Sequence, residues 1–211
     1  MIPTVDVEVP SDHALLPGAL GLPTAADRLV LFAHGSGSSR LSPRNVAVAD
    51  AFHHDGIATL LFDLLTPDEA EDRSNVFDVD LLASRLGDAV RWARGRDDVG
   101  TLPLGLFGAS TGAAAAIIAA ATTADPVSSV VSRGGRPDLA GARLGELRTP
   151  TLLIVGSLDP TVLELNRRAM REMRRAEVKL EVVPGAGHLF EEPGALERVA
   201  ALASSFVRSH G

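Results

Sequence analysis

The chain has 211 residues, no cysteine and a formal net charge of −7. The lack of cysteine excludes disulfides, thiolate metal sites and a cysteine nucleophile, and the acidic balance argues against nucleic acid, which needs Lys and Arg gathered on one face. With 45% hydrophobic residues and no break in composition, one domain over 1–211 is expected; the longest apolar run, Ala113 to Ala124, is too short to span a membrane, and the first ten residues lack a secretory pattern, which points to the cytoplasm.

In chain order, Thr4 to Val9 reads as a strand and Leu15 to Leu22 as its hairpin partner, both at a sheet edge. Arg28 to Ala33 is a buried-type strand that runs into His34-Gly35-Ser36-Gly37-Ser38-Ser39-Arg40. Ser42 suits a helix N-cap with Pro43 in the first turn, and Asp55-Gly56 ends that helix. Ala58 to Leu64 gives the next strand. Asp78 to Arg94 is amphipathic, with Val79, Leu82, Leu86, Val90 and Ala93 on one face. Leu102 to Phe107 is a strand that meets Gly108-Ala109-Ser110-Thr111-Gly112 just before an alanine-rich helix. Strands follow at Val127 to Ser132, Thr151 to Val155 and Val178 to Val183, with helices at Leu163 to Arg175 and Gly194 to Ser209. The alternation predicts an α/β fold, a mostly parallel central sheet flanked by helices.

Serine becomes a nucleophile only when its hydroxyl is exposed, a base takes its proton and donors hold the oxyanion. Gly108 and Gly112 flank Ser110 where a strand must turn sharply into a helix, the context that Gly-x-Ser-x-Gly requires. An acid and a histidine should then follow in that order beyond later strands. Asp159 follows Thr151 to Leu158 and is the candidate acid, with helix capping as its other role; Asp138 is its main rival, and Asp63 is expected to hold a loop. His188, on the glycine-rich turn Pro184-Gly-Ala-Gly-His-Leu-Phe, is the candidate base. His13 and His210 are expected at the surface, and His53 and His54 in solvated helix termination. Glu191-Glu192 are expected to cap the last helix. No histidine spacing suggests zinc, so no metal is expected.

The Ser36 backbone N–H, with Gly37 as the alternative, is expected to pair with that of Thr111 as the oxyanion hole; His34 is read as structural. The loop lacks the Gly-Lys-Ser/Thr ending of a phosphate-binding loop. Arg40, Arg133 and Arg136 follow strand ends and are read either as a pocket rim that pairs with a substrate carboxylate or as solvated arginines.

Together, His34 to Ser39, Gly108 to Gly112, Asp159 and His188 resemble the dienelactone hydrolase branch of the α/β-hydrolase superfamily over nearly the whole chain. Ala33-His-Gly-Ser-Gly-Ser-Ser-Arg, Ser132-Arg-Gly-Gly-Arg-Pro-Asp-Leu-Ala-Gly and Gly187-His-Leu-Phe-Glu-Glu-Pro-Gly are similar to a bacterial group of small hydrolases. Members of that group can be joined to a phosphoribosyltransferase domain, for which this sequence shows no counterpart. The resemblance implies an eight-stranded-type sheet, a site at the strand C-terminal edge and hydrolysis through an acyl-enzyme without a cofactor. The family's namesakes use cysteine; serine here points to esterase activity on a small-molecule ester. About 17 residues separate Ser132 from Pro150, too few for an inserted lid domain, so an open pocket for short or soluble substrates is expected. Acyl transfer or thioester cleavage by the same triad is the alternative, as is a non-catalytic binding module. The sequence leaves a homo-oligomer open.

Overall fold

Eight strands form one sheet in the order β1-β2-β4-β3-β5-β6-β7-β8 in the computed structural model, which describes residues 2–12 and 14–211. The strands are β1 (Thr4–Ser11), β2 (Ala14–Gly21), β3 (Arg28–Ala33), β4 (Ile57–Phe62), β5 (Leu104–Ala109), β6 (Ser129–Arg133), β7 (Thr151–Gly156) and β8 (Val178–Val183). Only β2 runs against the rest, pairing antiparallel with both β1 and β4. It is therefore an internal strand rather than the edge strand expected from sequence, because the crossover that inserts β4 beside it leaves no local signal.

The helices are α1 (Pro43–His54), α2 (Pro67–Glu71), α3 (Arg73–Phe77), α4 (Val79–Arg94), α5 (Thr111–Thr122), α6 (Pro160–Glu172) and α7 (Ala195–Ser209), with a 3-10 segment at Pro137–Gly145. One apolar layer joins α1 and α7 to the sheet through Phe52, Phe107, Val131 and Val199. The other joins α4, α5 and α6 through Leu86, Leu106, Ala115 and Ala169. Covered on both faces, β4, β5 and β7 are buried at every position, which is why they read as continuous apolar runs rather than alternating ones. Helix α5 is buried from Thr111 to Ala119; its alanines let the backbone lie close to the central strands, and a helix apolar all round belongs in a core. Among the described residues no helix is long and apolar enough to cross a membrane.

Several local readings change. Ser42 does precede α1, but its side chain makes no capping bond. Helix α6 starts three residues before the predicted Leu163. His53 is buried rather than solvated: its Nε2 lies 2.7 Å from Thr59 Oγ1, and a Cβ at Gly21 would stand 2.3 Å from that nitrogen. His54 is exposed. His210 is half-buried, its ring 4.2 Å from that of Phe206. His13 lies outside the described residues.

The register aligns the strand ends that matter. Ala33 faces Gly108 and Ala109 faces Arg133, while Gly156 faces Val183. The segments after β3, β5, β6, β7 and β8 therefore all leave from the same edge, carrying His34, Ser110, Gly134, Asp159 and His188 with them.

Candidate active site

Ser110 sits at φ 51° and ψ −121°, a conformation that costs a side-chain-bearing residue strain and persists only where its surroundings enforce it. Here the backbone enforces it. Ser110 N–H donates to Arg133 O at 3.3 Å, and its carbonyl accepts from Ala113 N at 3.1 Å and Arg136 N at 3.0 Å. The flanking glycines are steric necessities: a Cβ at Gly108 would lie 2.4 Å from Ala113 Cα, and one at Gly112 would lie 2.2 Å from Ala33 O.

Asp159 performs both of the roles open to it. Oδ1 accepts from Val162 N at 3.3 Å, capping α6, while Oδ2 accepts from His188 Nδ1 at 2.7 Å. That bond assigns the ring proton to Nδ1 and leaves Nε2 as the basic nitrogen. The rival Asp138 is committed elsewhere, to Arg136 through two bonds of 2.8 Å. Glu191 and Glu192 secure the histidine loop instead of capping α7. Glu192 Oε1 accepts from Gly187 N at 2.9 Å, Glu191 pairs with Arg44 at 3.1 Å, and Gly194 is the N-cap. The loop lies close over the sheet edge, since a Cβ at Gly134 would be 3.0 Å from His188 O. No hydrogen bond joins Ser110 Oγ to His188 among the described residues, an arrangement common in ligand-free sites that tighten on substrate.

Of the two expected oxyanion donors, Ser36 N–H points at the elbow and donates to Thr111 Oγ1 at 2.8 Å. Thr111 opens α5, so its own N–H has no intrahelical acceptor. Gly37, at φ 69°, forms the turn that follows. His34 braces this loop: Nε2 accepts from Leu64 N, while Nδ1 lies 3.1 Å from Gly35 O. Burial holds its pKa below the usual histidine value, so it stays neutral and keeps both roles.

The three arginines separate. Arg40 is tied to Asp63, through its backbone N–H at 2.7 Å and Nη1 at 2.8 Å, so Asp63 does hold the loop. Arg136 is tied to Asp138. Arg133 is buried, 8% exposed, rather than rimming an opening. A cavity of about 450 Å³ opens beside the elbow, between the Gly35–Arg40 loop and an apolar wall of Leu65, Ala70, Val76 and Leu82. Neither Ser110 nor His188 is in its lining; Gly35 links it to the serine, as a Cβ there would be 3.0 Å from Ser110 Cβ. Ala70 of α2 and Val76 of α3 supply the outer part of the wall, while Leu65, and Leu82 of α4, belong to the core. Thr66 and Glu69 form a reciprocal capping box at the start of α2, and Glu69 Oε1 accepts from Arg85 Nη2 at 2.7 Å. Sequence reading left this segment unassigned, although Thr66-Pro67-Asp68-Glu69 carries the capping-box spacing. Among the described residues no three His, Asp or Glu side chains are grouped to hold a metal ion.

A strained serine between parallel strand and helix, a paired acid and histidine beyond later strands, and this strand order define an α/β-hydrolase fold. The chain belongs to the dienelactone hydrolase family, whose model matches residues 50–207. It is 48% identical to a dienelactone hydrolase of known structure from Anabaena variabilis, with a TM-score of 0.94 over 99% of this chain and 98% of that one. Est1E from Butyrivibrio proteoclasticus, 18% identical, shares the fold at a TM-score of 0.80 over 97% and 98% of the two chains. Proteins from two strains of Mycobacterium tuberculosis, provisionally designated phosphoribosyl transferases, are 54% identical over 205 residues. That match takes in 97% of this chain but 46% of each relative, so the chain spans just under half their length.

Proposed function

We propose that the chain is a serine hydrolase that cleaves carboxylic esters of small, soluble substrates through an acyl-enzyme on Ser110. The observation that carries this reading is the 2.7 Å bond between His188 Nδ1 and Asp159 Oδ2, made between two loops that leave the same sheet edge as the strained serine. In the proposed reaction His188 Nε2 takes the Ser110 proton as Oγ attacks the ester carbonyl. Asp159 keeps the imidazole in the required tautomer and stabilises its charged form. The amides of Ser36 and Thr111 hold the oxyanion, with the carbonyl oxygen taking over the Ser36 donor that Thr111 Oγ1 now occupies. His188 then returns the proton to the leaving alkoxide, and a water activated by the same ring releases the acid. The curated relatives' transferase designation concerns chains about twice as long and supplies no step here.

The test is hydrolysis of short p-nitrophenyl esters together with labelling by a fluorophosphonate probe. Native protein should turn over and label, and Ser110→Ala should do neither. Equal turnover by the two proteins, or a native protein that does not label, would refute the assignment.

A further inference from the structure

Strand β8 lies last in the sheet and pairs on one side only, with β7. The Thr151 N–H donates to Glu177 O and the Ser157 N–H to Val183 O, so the odd-numbered residues of this stretch turn their backbone groups toward β7. By alternation Val178, Leu180 and Val182 turn theirs outward. Among the described residues no backbone group meets them there, and each such N–H and C=O is a vacant position for another strand. The side chains are open as well: Val182 is 37% exposed. Lys179 meets Glu177 of its own chain at 3.1 Å, but both groups are half in water, where such a pair is worth little and leaves the ammonium able to take a second carboxylate.

The two edges of the sheet differ in how they would meet their own kind. On β1, Asp6 and Glu8 share a face; antiparallel pairing with a second β1, centred anywhere from Asp6 to Glu8, sets acid against acid, and Pro10 has no N–H to give. That edge is defended. On β8, Lys179 and Glu181 share one face while Val178, Leu180 and Val182 share the other. A second β8 laid antiparallel with Leu180 facing Leu180 sets Lys179 of each chain opposite Glu181 of the other, and Val178 opposite Val182. The outward backbone groups of all three apolar residues are then satisfied, because each facing pair exchanges two bonds. The charged pairs fall at the non-hydrogen-bonded positions, where side chains stand closest. Moving the centre by one residue sets Lys179 on Lys179 or Glu181 on Glu181. Opposite charges directly across a strand pair stabilise it and like charges destabilise it, so the sequence selects one register.

We propose that β8 is the docking edge for a second copy of this chain, joined antiparallel about Leu180 so that two eight-stranded sheets run on as one. The contact is isologous, its two-fold axis passing through the sheet at Leu180, and it keeps α6 on the same face as its counterpart and α7 likewise. Strand β8 leads into the His188 loop, so antiparallel pairing turns the two candidate sites toward opposite ends of the joined sheet, each complete within its own chain. The proposal stands independently of the hydrolase reading.

Sedimentation velocity over protein concentrations from about 1 μM to about 1 mM, the span of weak to moderate complexes, tests it. The native chain should pass from monomer to dimer within that span. Lys179→Glu sets acid on acid across the junction and Glu181→Lys sets base on base; each alone should raise the dissociation constant about tenfold or more. An equimolar mixture of the two variants restores opposite charges at both facing pairs of the mixed dimer, and should associate within about threefold of the native chain. Loss in both variants with rescue in their mixture is peculiar to the register centred on Leu180. Neither residue is buried, so both variants should fold, as a thermal melt will show. Should one fail to, Val182→Pro removes an outward N–H, leaves the β7 ladder whole and should abolish the dimer in its place. A native chain that stays monomeric to about 1 mM, a dimer indifferent to these substitutions, or a mixture no tighter than its components would each overturn the docking edge.

Discussion

Replacing Gly35 with alanine should slow the reaction at Ser110 while leaving the fold nearly intact. Gly35 is not at positive φ, so the backbone admits a side chain there. The new Cβ would lie 3.0 Å from Ser110 Cβ and 3.1 Å from Ala109 O, where ordinary contact begins at 3.4 Å. Ser110, the proposed nucleophile, must therefore retreat by about 0.4 Å. A misplacement of about 1 Å costs roughly a hundredfold in rate, so this retreat should lower kcat by about sixfold with KM little changed. The crowding costs about 1–2 kcal/mol, partly offset by about 0.5 kcal/mol from a stiffer unfolded chain, which amounts to a fall in Tm of about 1–6 °C. Ester turnover, fluorophosphonate labelling rate and a thermal melt on one preparation read all three quantities. A variant with the Tm loss but with parental kcat and labelling rate would show that the Gly35 approach does not position Ser110. Gly112→Ala is the contrast, because its Cβ would meet Ala33 O at 2.2 Å, and it should not yield folded protein.

Asp159→Asn retains an oxygen for the Val162 N–H but loses the charge that sets the His188 tautomer; kcat should fall by about 10³–10⁴ with Tm within about 3 °C of the parent, and a loss under tenfold would remove Asp159 from the triad. Stability should also depend on acidity through two histidines outside the proposed triad. Burial lowers the pKa of both His34 and His53 from the ordinary histidine value of 6.5, so on acidification the unfolded chain takes up protons before the folded one. Their contribution is complete above about pH 6.5 and is lost as pH falls toward the folded-state values, at up to about 1.4 kcal/mol per pH unit for each. Denaturant midpoints between pH 5 and 8 should show this slope and a shallower one in His53→Gln; a flat parental profile would contradict it.

Much of this site is visible in the sequence because its parts are local. Gly108 is demanded by backbone contacts within the elbow itself, and Asp159 and His188 each follow an apolar strand run; Gly112 answers to the distant Ala33 carbonyl but is announced by the motif. What the sequence hides is partnership. Nothing near Arg136 and Asp138 in sequence says that they pair off and so withdraw both a substrate arginine and a rival acid. Burial of His53 against Gly21 and Thr59 depends on β2 entering the sheet beside β4, a long-range event. The burial of Arg133 is hidden for the same reason, since Arg44, the cation beside it, comes from the distant α1. Helices α2 and α3 escaped because five residues are too few to show a helical period, although the Thr66–Glu69 box was there to be read.

The part of the cavity wall that α2 and α3 supply, Ala70 and Val76, comes from a stretch with little commitment to the core. Neither α2 nor α3 contains a fully buried residue, and Glu69 joins the segment to Arg85 on α4 while also closing the α2 cap. Residues 67–77 therefore behave as an exchangeable part. A lineage, or an engineer, can rewrite them to widen or narrow that side of the cavity while the sheet, the elbow and the histidine loop stay as they are. The shape of the cavity is in that sense written in two hands: its outer side can drift at Ala70 and Val76 without drawing on folding stability, while Leu65 and Leu82 hold its inner side to the core.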